Sequence, residues 1–180
     1  DTASVYPFAS ALDAAFTLPD ATLAIEASVT NRGNVPMPAS FGFHPAFAWP
    51  LPGGEAKEAH RIRFEREEPG PLNRIEGGLI GAADRDTPVK GDTLWLHDDL
   101  FEQDALVWES PASRSLRYGC EGGPALDIRF PDMPTLALWT KPGARFLCVE
   151  PWQGHADPAA FSGEIWDKPG MLRLEPGERR

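Results

Sequence analysis

The chain has 180 residues and a formal net charge of -10, with 42% apolar and 24% charged residues. That charge repels phosphate backbones and anionic membrane surfaces, whose binding rests on Lys and Arg. No apolar run approaches the about 20 residues a membrane helix needs, so neither nucleic acid nor membrane is an expected partner. The length fits one domain over residues 1–180, enough to bury roughly 70% of the unfolded surface. The two cysteines, Cys120 and Cys148, form neither a disulfide framework nor a CxxC zinc motif. The expected compartment is the reducing cytoplasm, and residues 1–6 show no basic region followed by an apolar stretch.

Glycine (17) and proline (19) are abundant and spread along the chain, which fits many turns between short strands. Residues 22–30 alternate Leu23, Ile25 and Val29 with Thr22, Glu26, Ser28 and Thr30, the period-two pattern of a half-buried strand. Asn31-Arg32-Gly33-Asn34 reads as a turn. Residues 53–60 and 67–92 read as long surface loops, separated by a strand with Ile62 and Phe64 on one face. Residues 98–104 allow one helical turn. Further strands alternate at Leu116 and Tyr118, and at Leu126, Ile128 and Phe130, with Glu121-Gly122-Gly123 as the turn between them. The denser apolar runs 135–140 and 145–149 flank Lys141-Pro142-Gly143-Ala144 and predict a buried hairpin. Residues 171–174 predict a last strand. Short strands and frequent turns point to an antiparallel sandwich or barrel.

Two segments carry chemistry. In Ser40-Phe41-Gly42-Phe43-His44-Pro45-Ala46-Phe47 a single histidine sits among aromatic and small residues. Pro45 removes a backbone donor and biases His44 toward extended backbone. An imidazole there suits a general acid near neutral pH, the alternative being a core histidine bonded to a carbonyl. In Arg145 to Gly154 an almost continuous apolar strand ends at Glu150-Pro151-Trp152. A carboxylate at the end of a buried strand is costly unless paired or functional, and burial raises its pKa toward that of a useful general base. The alternative is a strand-end carboxylate reaching solvent or an arginine. The indole of Trp152 offers a cover for a pocket or a sugar face. Cys148 reads as core, and His60, His97 and His155 as surface residues.

Together these segments resemble the aldose 1-epimerases, in particular the shorter bacterial branch of the galactose mutarotase-like proteins. The likeness runs from Tyr6-Pro7-Phe8 through Val29-Thr30-Asn31, Gly42-Phe43-His44-Pro45-Ala46-Phe47, Leu100-Phe101 and Asp104-Ala105-Leu106. It continues through Ser113-Arg114-Ser115, Phe130-Pro131, Trp139-Thr140 and Cys148-Val149-Glu150-Pro151-Trp152 to Pro176-Gly177-Glu178. It implies an all-β fold, an antiparallel β-sandwich of the galactose mutarotase-like supersandwich type. Here that fold is expected as an incomplete excerpt lacking N-terminal strands and the family's second active-site histidine.

The resemblance further implies interconversion of the α and β anomers of a free aldose, with Glu150 as catalytic base and His44 as catalytic acid. Asp104 is similar to the family's substrate-binding aspartate, although Asp98, Asp99 and Glu102 lie close by. Phe43 and Trp152 complete the expected substrate-binding set. Acid and base are expected to converge on one concave face, on opposite sides of a space the size of a hexose ring. The expected partner is a small-molecule sugar. The expected cofactor is none and the expected metal none, since no GxGxxG, P-loop or HExxH occurs. Two rival readings differ in class. One is a non-catalytic carbohydrate-binding or sensing protein on the same sandwich. The other is a hexose-6-phosphate 1-epimerase, which needs an arginine cluster. A Glu150 and Asp104 pair for glycoside hydrolysis is set against the His44 motif.

Overall fold

The computed structural model describes residues 2–53, 56–68 and 70–180. Asp1, and residues 54, 55 and 69 of the two expected loops, lie outside the described residues. The chain forms two compact units, Asp1–Ser40 with Gly163–Arg180, and Phe41–Ser162. The first unit holds β1 (Ser10–Thr17), β2 (Ala24–Asn31), β3 (Met37–Ala39) and the last strand, β15 (Leu172–Leu174). The second holds β4 (Phe41–Gly42), β5 (Ala46–Ala48), β6 (Arg61–Phe64), β7 (Leu72–Glu76) and β8 (Leu79–Arg85). It continues with β9 (Thr93–Trp95), β10 (Leu106–Trp108), β11 (Ser115–Gly119), β12 (Ala125–Arg129), β13 (Thr135–Trp139) and β14 (Phe146–Gln153). All pairings between these strands are antiparallel. Among the described residues, no helix is long and apolar enough to cross a membrane.

In the first unit β1 pairs with β2 along all eight residues of each, and β15 pairs with β3. Met37, Ala39 and Leu174 form its small core, with Tyr6, Phe8, Val29 and Leu172 packed against it. Asn31 is buried and its side-chain amide donates to the carbonyls of Val35 and Leu174, so it ties the end of β2 to β15. The half-buried strand read from residues 22–30 forms, but its expected burial holds only toward its end, at half-buried Val29. Leu23 and Ile25 are exposed, as are Leu12 and Phe16 on β1. Alternation specifies a two-faced strand and is silent about whether anything covers the apolar face.

The second unit is the sandwich that the strand and turn pattern predicts. One sheet has seven strands in the order β4-β14-β13-β10-β7-β8, with β5 also on β14; the other has four in the order β12-β11-β6-β9. Period two fixes which side chains meet between them. From the large sheet come Leu106, Trp108, Leu136, Leu138, Leu147 and Val149; from the small one come Ile62, Phe64, Leu94, Leu116 and Tyr118. A fully buried side chain of this size contributes about 1.5–3 kcal/mol, so this layer anchors the unit. The alternate residues of the large sheet point the other way. There Ile80, Ala105, Val107 and Ala137 form a second, smaller cluster flanked by Ile75, Trp139 and Trp152.

The predicted hairpin of residues 135–149 is present, with Thr135 opposite Trp152 and Trp139 opposite Cys148. The turn at Gly122 and Gly123 joins β11 to β12 as expected. The region read as a long loop over 67–92 is instead largely the β7–β8 hairpin. Gly77 and Gly78, with φ of 60° and 86°, supply the two positive-φ positions of a tight hairpin turn. Register shifts between Leu72 and Asn73 and between Asn73 and Ile75 break the strict alternation that a sequence reading relies on. The other expected loop, 53–60, contains a 3-10 turn at Lys57–Ala59, and the expected helical turn is the 3-10 segment Asp98–Phe101.

Candidate active site

Glu150 lies within β14, and alternation decides its side. Leu147 and Val149 enter the main core, so Cys148, Glu150 and Trp152 project from the opposite face. The facing segment is held by β14 itself. Trp152 pairs with Gly42, and Cys148 with Ala46. The same register, carried through residues 43–45, places His44 opposite Glu150. Two backbone bonds hold this arch: Phe43 N–H donates to the Pro151 carbonyl (3.0 Å) and Val149 N–H to the Pro45 carbonyl (3.2 Å). Directly opposed residues in antiparallel strands share a face, and His44 Nε2 stands 3.4 Å from Glu150 Oε1.

Residue size along the arch follows from the same pairing. A Cβ on Gly42 would fall 2.4 Å from Trp152 Cδ1, so only glycine lets the indole lie across that position. Ala46, opposite Cys148, keeps the other flank open. The His44 ring meets the edge of Trp139 with 6.4 Å between centroids, and Trp139 in turn leans on Phe146. Trp139 was absent from the expected site residues. The signal was its period-two position on β13, readable only once β13 is paired to β14.

The two members of the pair differ sharply in exposure: the His44 side chain is 61% exposed and that of Glu150 5%. Burial pushes the Glu150 carboxyl up to about 7, with the His44 charge pulling it down and the Asp104 charge pushing it further up. The Cys148 thiol is pushed up to about 11 by burial and by the neighbouring Glu150. Asp104 is exposed and follows the 3-10 turn Asp98–Phe101. Its φ of 72° is a left-handed conformation that aspartate tolerates better than most residues. There its Oδ1 accepts the Ala105 N–H at 2.7 Å. The Phe43 ring packs edge-on against Phe41 at 5.1 Å, and half-buried Trp152 joins the second cluster.

The structure therefore brings His44 and Glu150 to one face, with Asp104 near enough for its charge to act on Glu150. The expected ring-sized gap between acid and base is absent: the two side chains are in contact. The reason is the register, which makes them direct cross-strand neighbours. Two of the three other histidines also depart from expectation. His60 is fully buried, its Nε2 accepting the Leu51 N–H (3.1 Å) and its Nδ1 bonded to the Ala56 carbonyl (3.1 Å). The His155 side chain is 4% exposed, with Nε2 3.3 Å from Glu109 Oε1. Only His97 is at the surface. A single polar residue between strands carries no sign of which loop will fold over it.

The family model for aldose 1-epimerase matches residues 1–173, and the chain belongs to that family. Protein LacX of Lactococcus lactis subsp. lactis, in its chromosomal and plasmid forms, is 31% identical over 177 residues, covering 95% of this chain and 59% of LacX. The solved structure of a galactose mutarotase-like protein from Lactobacillus casei is 25% identical with a TM-score of 0.85, over 99% of this chain and 63% of that one. A galactose mutarotase related enzyme from Lactobacillus acidophilus is 25% identical with a TM-score of 0.86, over 99% and 61%. The chain thus spans about three-fifths of the length of these relatives. The resemblance carried by the His44 and Glu150 segments and the expected all-β antiparallel fold both hold.

Proposed function

We propose that this chain carries the acid–base pair of an aldose 1-epimerase that interconverts the α and β anomers of a free aldose. Residues 1–180 are, in this reading, part of one galactose mutarotase-like domain. The observation that carries the reading is the 3.4 Å approach of His44 Nε2 to Glu150 Oε1 in a chain of this family.

The chemistry needs two proton transfers at neighbouring oxygens. Glu150, ionised, takes the proton of the anomeric hydroxyl. His44, protonated, gives one to the ring oxygen as the bond from the anomeric carbon to that oxygen breaks. The open-chain aldehyde turns about its C1–C2 bond, and the same two transfers run backward to close the ring in the other configuration. Both oxygens are bonded to one carbon, so an acid and a base in contact with each other suit the reaction better than a pair separated by a whole ring. A carboxyl titrating at about 7 is available as a base near neutral pH without being too weak to take a proton. Asp104, Phe43 and Trp152 are the proposed sugar contacts, with an aromatic face for the C–H side of a pyranose.

Polarimetry on freshly dissolved α-glucose or α-galactose tests this. The full-length protein should speed the drift to equilibrium. Glu150→Gln and His44→Asn should each lose a factor of about 10²–10⁴, the usual worth of one general acid or base. Near-parental turnover in either variant removes that residue from the mechanism. A protein that holds sugar without changing the rate would be a binder on the same fold.

A further inference from the structure

The face that carries the acid–base pair also carries a thiol that the proposed reaction does not use. Cys148 and Glu150 are two apart on β14 and so project side by side, while His44 arches in from the opposed segment. One donor atom from each, an imidazole nitrogen, a thiol sulfur and a carboxylate oxygen, all lie within 4.8 Å of one another, the metal-competent cluster among the described residues. Around a tetrahedral zinc, donors bound at about 2.0–2.3 Å sit roughly 3.5 Å apart. His44 and Glu150 already stand at that spacing, 3.4 Å apart, and bringing all three donors to it needs about an ångström of side-chain movement. The register explains why the atoms are so close. Ala46 opposite Cys148 adds little bulk over the sulfur.

We propose that His44 Nε2, Cys148 Sγ and one Glu150 carboxylate oxygen form a binding site for a zinc-class divalent cation, and that its occupancy withdraws both members of the acid–base pair and switches the site off reversibly. The donor set decides the class of ion. A mixed sulfur, nitrogen and oxygen set favours zinc or cobalt(II), whereas magnesium and calcium require oxygen ligands in greater number. Three protein ligands leave a fourth position to solvent. Binding forms a metal–sulfur bond at the expense of the S–H bond, and the thiol proton leaves to the buffer; nothing is oxidised or reduced. Entry is from the His44 side, where the imidazole meets solvent, since Cys148 itself is buried. The switching-off rests on the function proposed above; the metal binding does not.

The test is a titration of the chelator-treated protein with cobalt(II). One ion per chain should bind, with a thiolate-to-cobalt charge-transfer band in the near ultraviolet and visible bands of four-coordinate cobalt, and zinc(II) should displace it. Cys148→Ser should abolish the charge-transfer band and weaken binding at least about tenfold. His44→Asn, at an exposed position where folding is not at risk, should weaken binding by a similar factor. Cys120→Ser, which changes the other free cysteine, should leave the titration unaltered. No charge-transfer band, a band that survives Cys148→Ser, or one that disappears with Cys120→Ser would overturn the site. In polarimetry, zinc should suppress the parent's rate, a chelator should restore it, and Cys148→Ser should need at least about tenfold more zinc for the same suppression. A parent rate untouched by saturating zinc overturns the switch. A parent that binds cobalt as described but never accelerates mutarotation leaves the site standing and removes the epimerase reading instead.

Discussion

Glu150→Gln makes a stability prediction that is independent of any substrate. The Glu150 carboxyl titrates at about 7 in the folded chain, against 4.5 as the ordinary value. At about 1.4 kcal/mol per pKa unit, that displacement is on the order of 3 kcal/mol. The sign follows from proton binding. Below the ordinary value both folded and unfolded chains hold the proton, and the folded state is unpenalised. Between that value and about 7 only the folded chain holds it, so stability falls as pH rises. Above about 7 the full cost of a buried carboxylate is present. Glutamine has the same shape and never ionises. The variant should therefore match the parent near pH 4, within the about 1 kcal/mol of one altered hydrogen bond, and be more stable at pH 8.5 by up to the displacement given above. Urea unfolding of both proteins between pH 4 and 8.5, with a chelator present, measures the difference, in which titrating groups remote from Glu150 cancel. A parent-to-variant difference that stays constant with pH, or grows toward acid, would show that Glu150 is not buried as a costly carboxylate, and the account of its basicity would go with it.

Three further expectations concern stability. Gly42→Ala puts a Cβ 2.4 Å from Trp152 Cδ1 and should cost about 1–3 kcal/mol as an overpacked contact; unchanged urea stability together with an unchanged tryptophan emission spectrum would contradict it. Glu68 is 2% exposed and accepts the N–H groups of Ala112 and Ser113 at 2.9 and 2.7 Å. Glu68→Ala should therefore cost about 3 kcal/mol through two lost charge-assisted bonds, and an unfolding midpoint equal to the parent's would refute that role. His60→Ala strands the buried Leu51 N–H and should cost about 1–3 kcal/mol, with faster hydrogen exchange at the Leu51 amide as its specific mark; an exchange rate unchanged there would assign the bond elsewhere.

Much of this protein is legible in its residues because the information is local. Alternation along 126–130, the dense apolar run 135–140, Gly122 and Gly123 between two strands, and the Lys141 to Ala144 turn are short-range patterns, and each element is found where the pattern places it. The chemistry-bearing segments around His44 and Glu150 are equally local, since histidine before proline and a glutamate ending an apolar run stand out without any fold. The β7–β8 hairpin escaped because its irregular register hides the alternation. His60 and His155 escaped because burial of a lone polar side chain depends on chain segments that arrive from elsewhere.

What the residues alone determined was a set of strands, an apolar and a polar side for most of them, and two candidate groups 106 positions apart in the numbering. What only the tertiary structure decided was pairing. One register, Gly42 against Trp152 and Ala46 against Cys148, puts His44 beside Glu150, lays Trp152 over a glycine and brings a thiol to the same face. The identical strands slipped by one residue would send His44 to the side opposite Glu150. Register is a long-range property, set by which side chains the two sheets of the sandwich can bury together. That is why His44, Glu150 and Cys148 are readable in the sequence as residues, and their juxtaposition only in the fold.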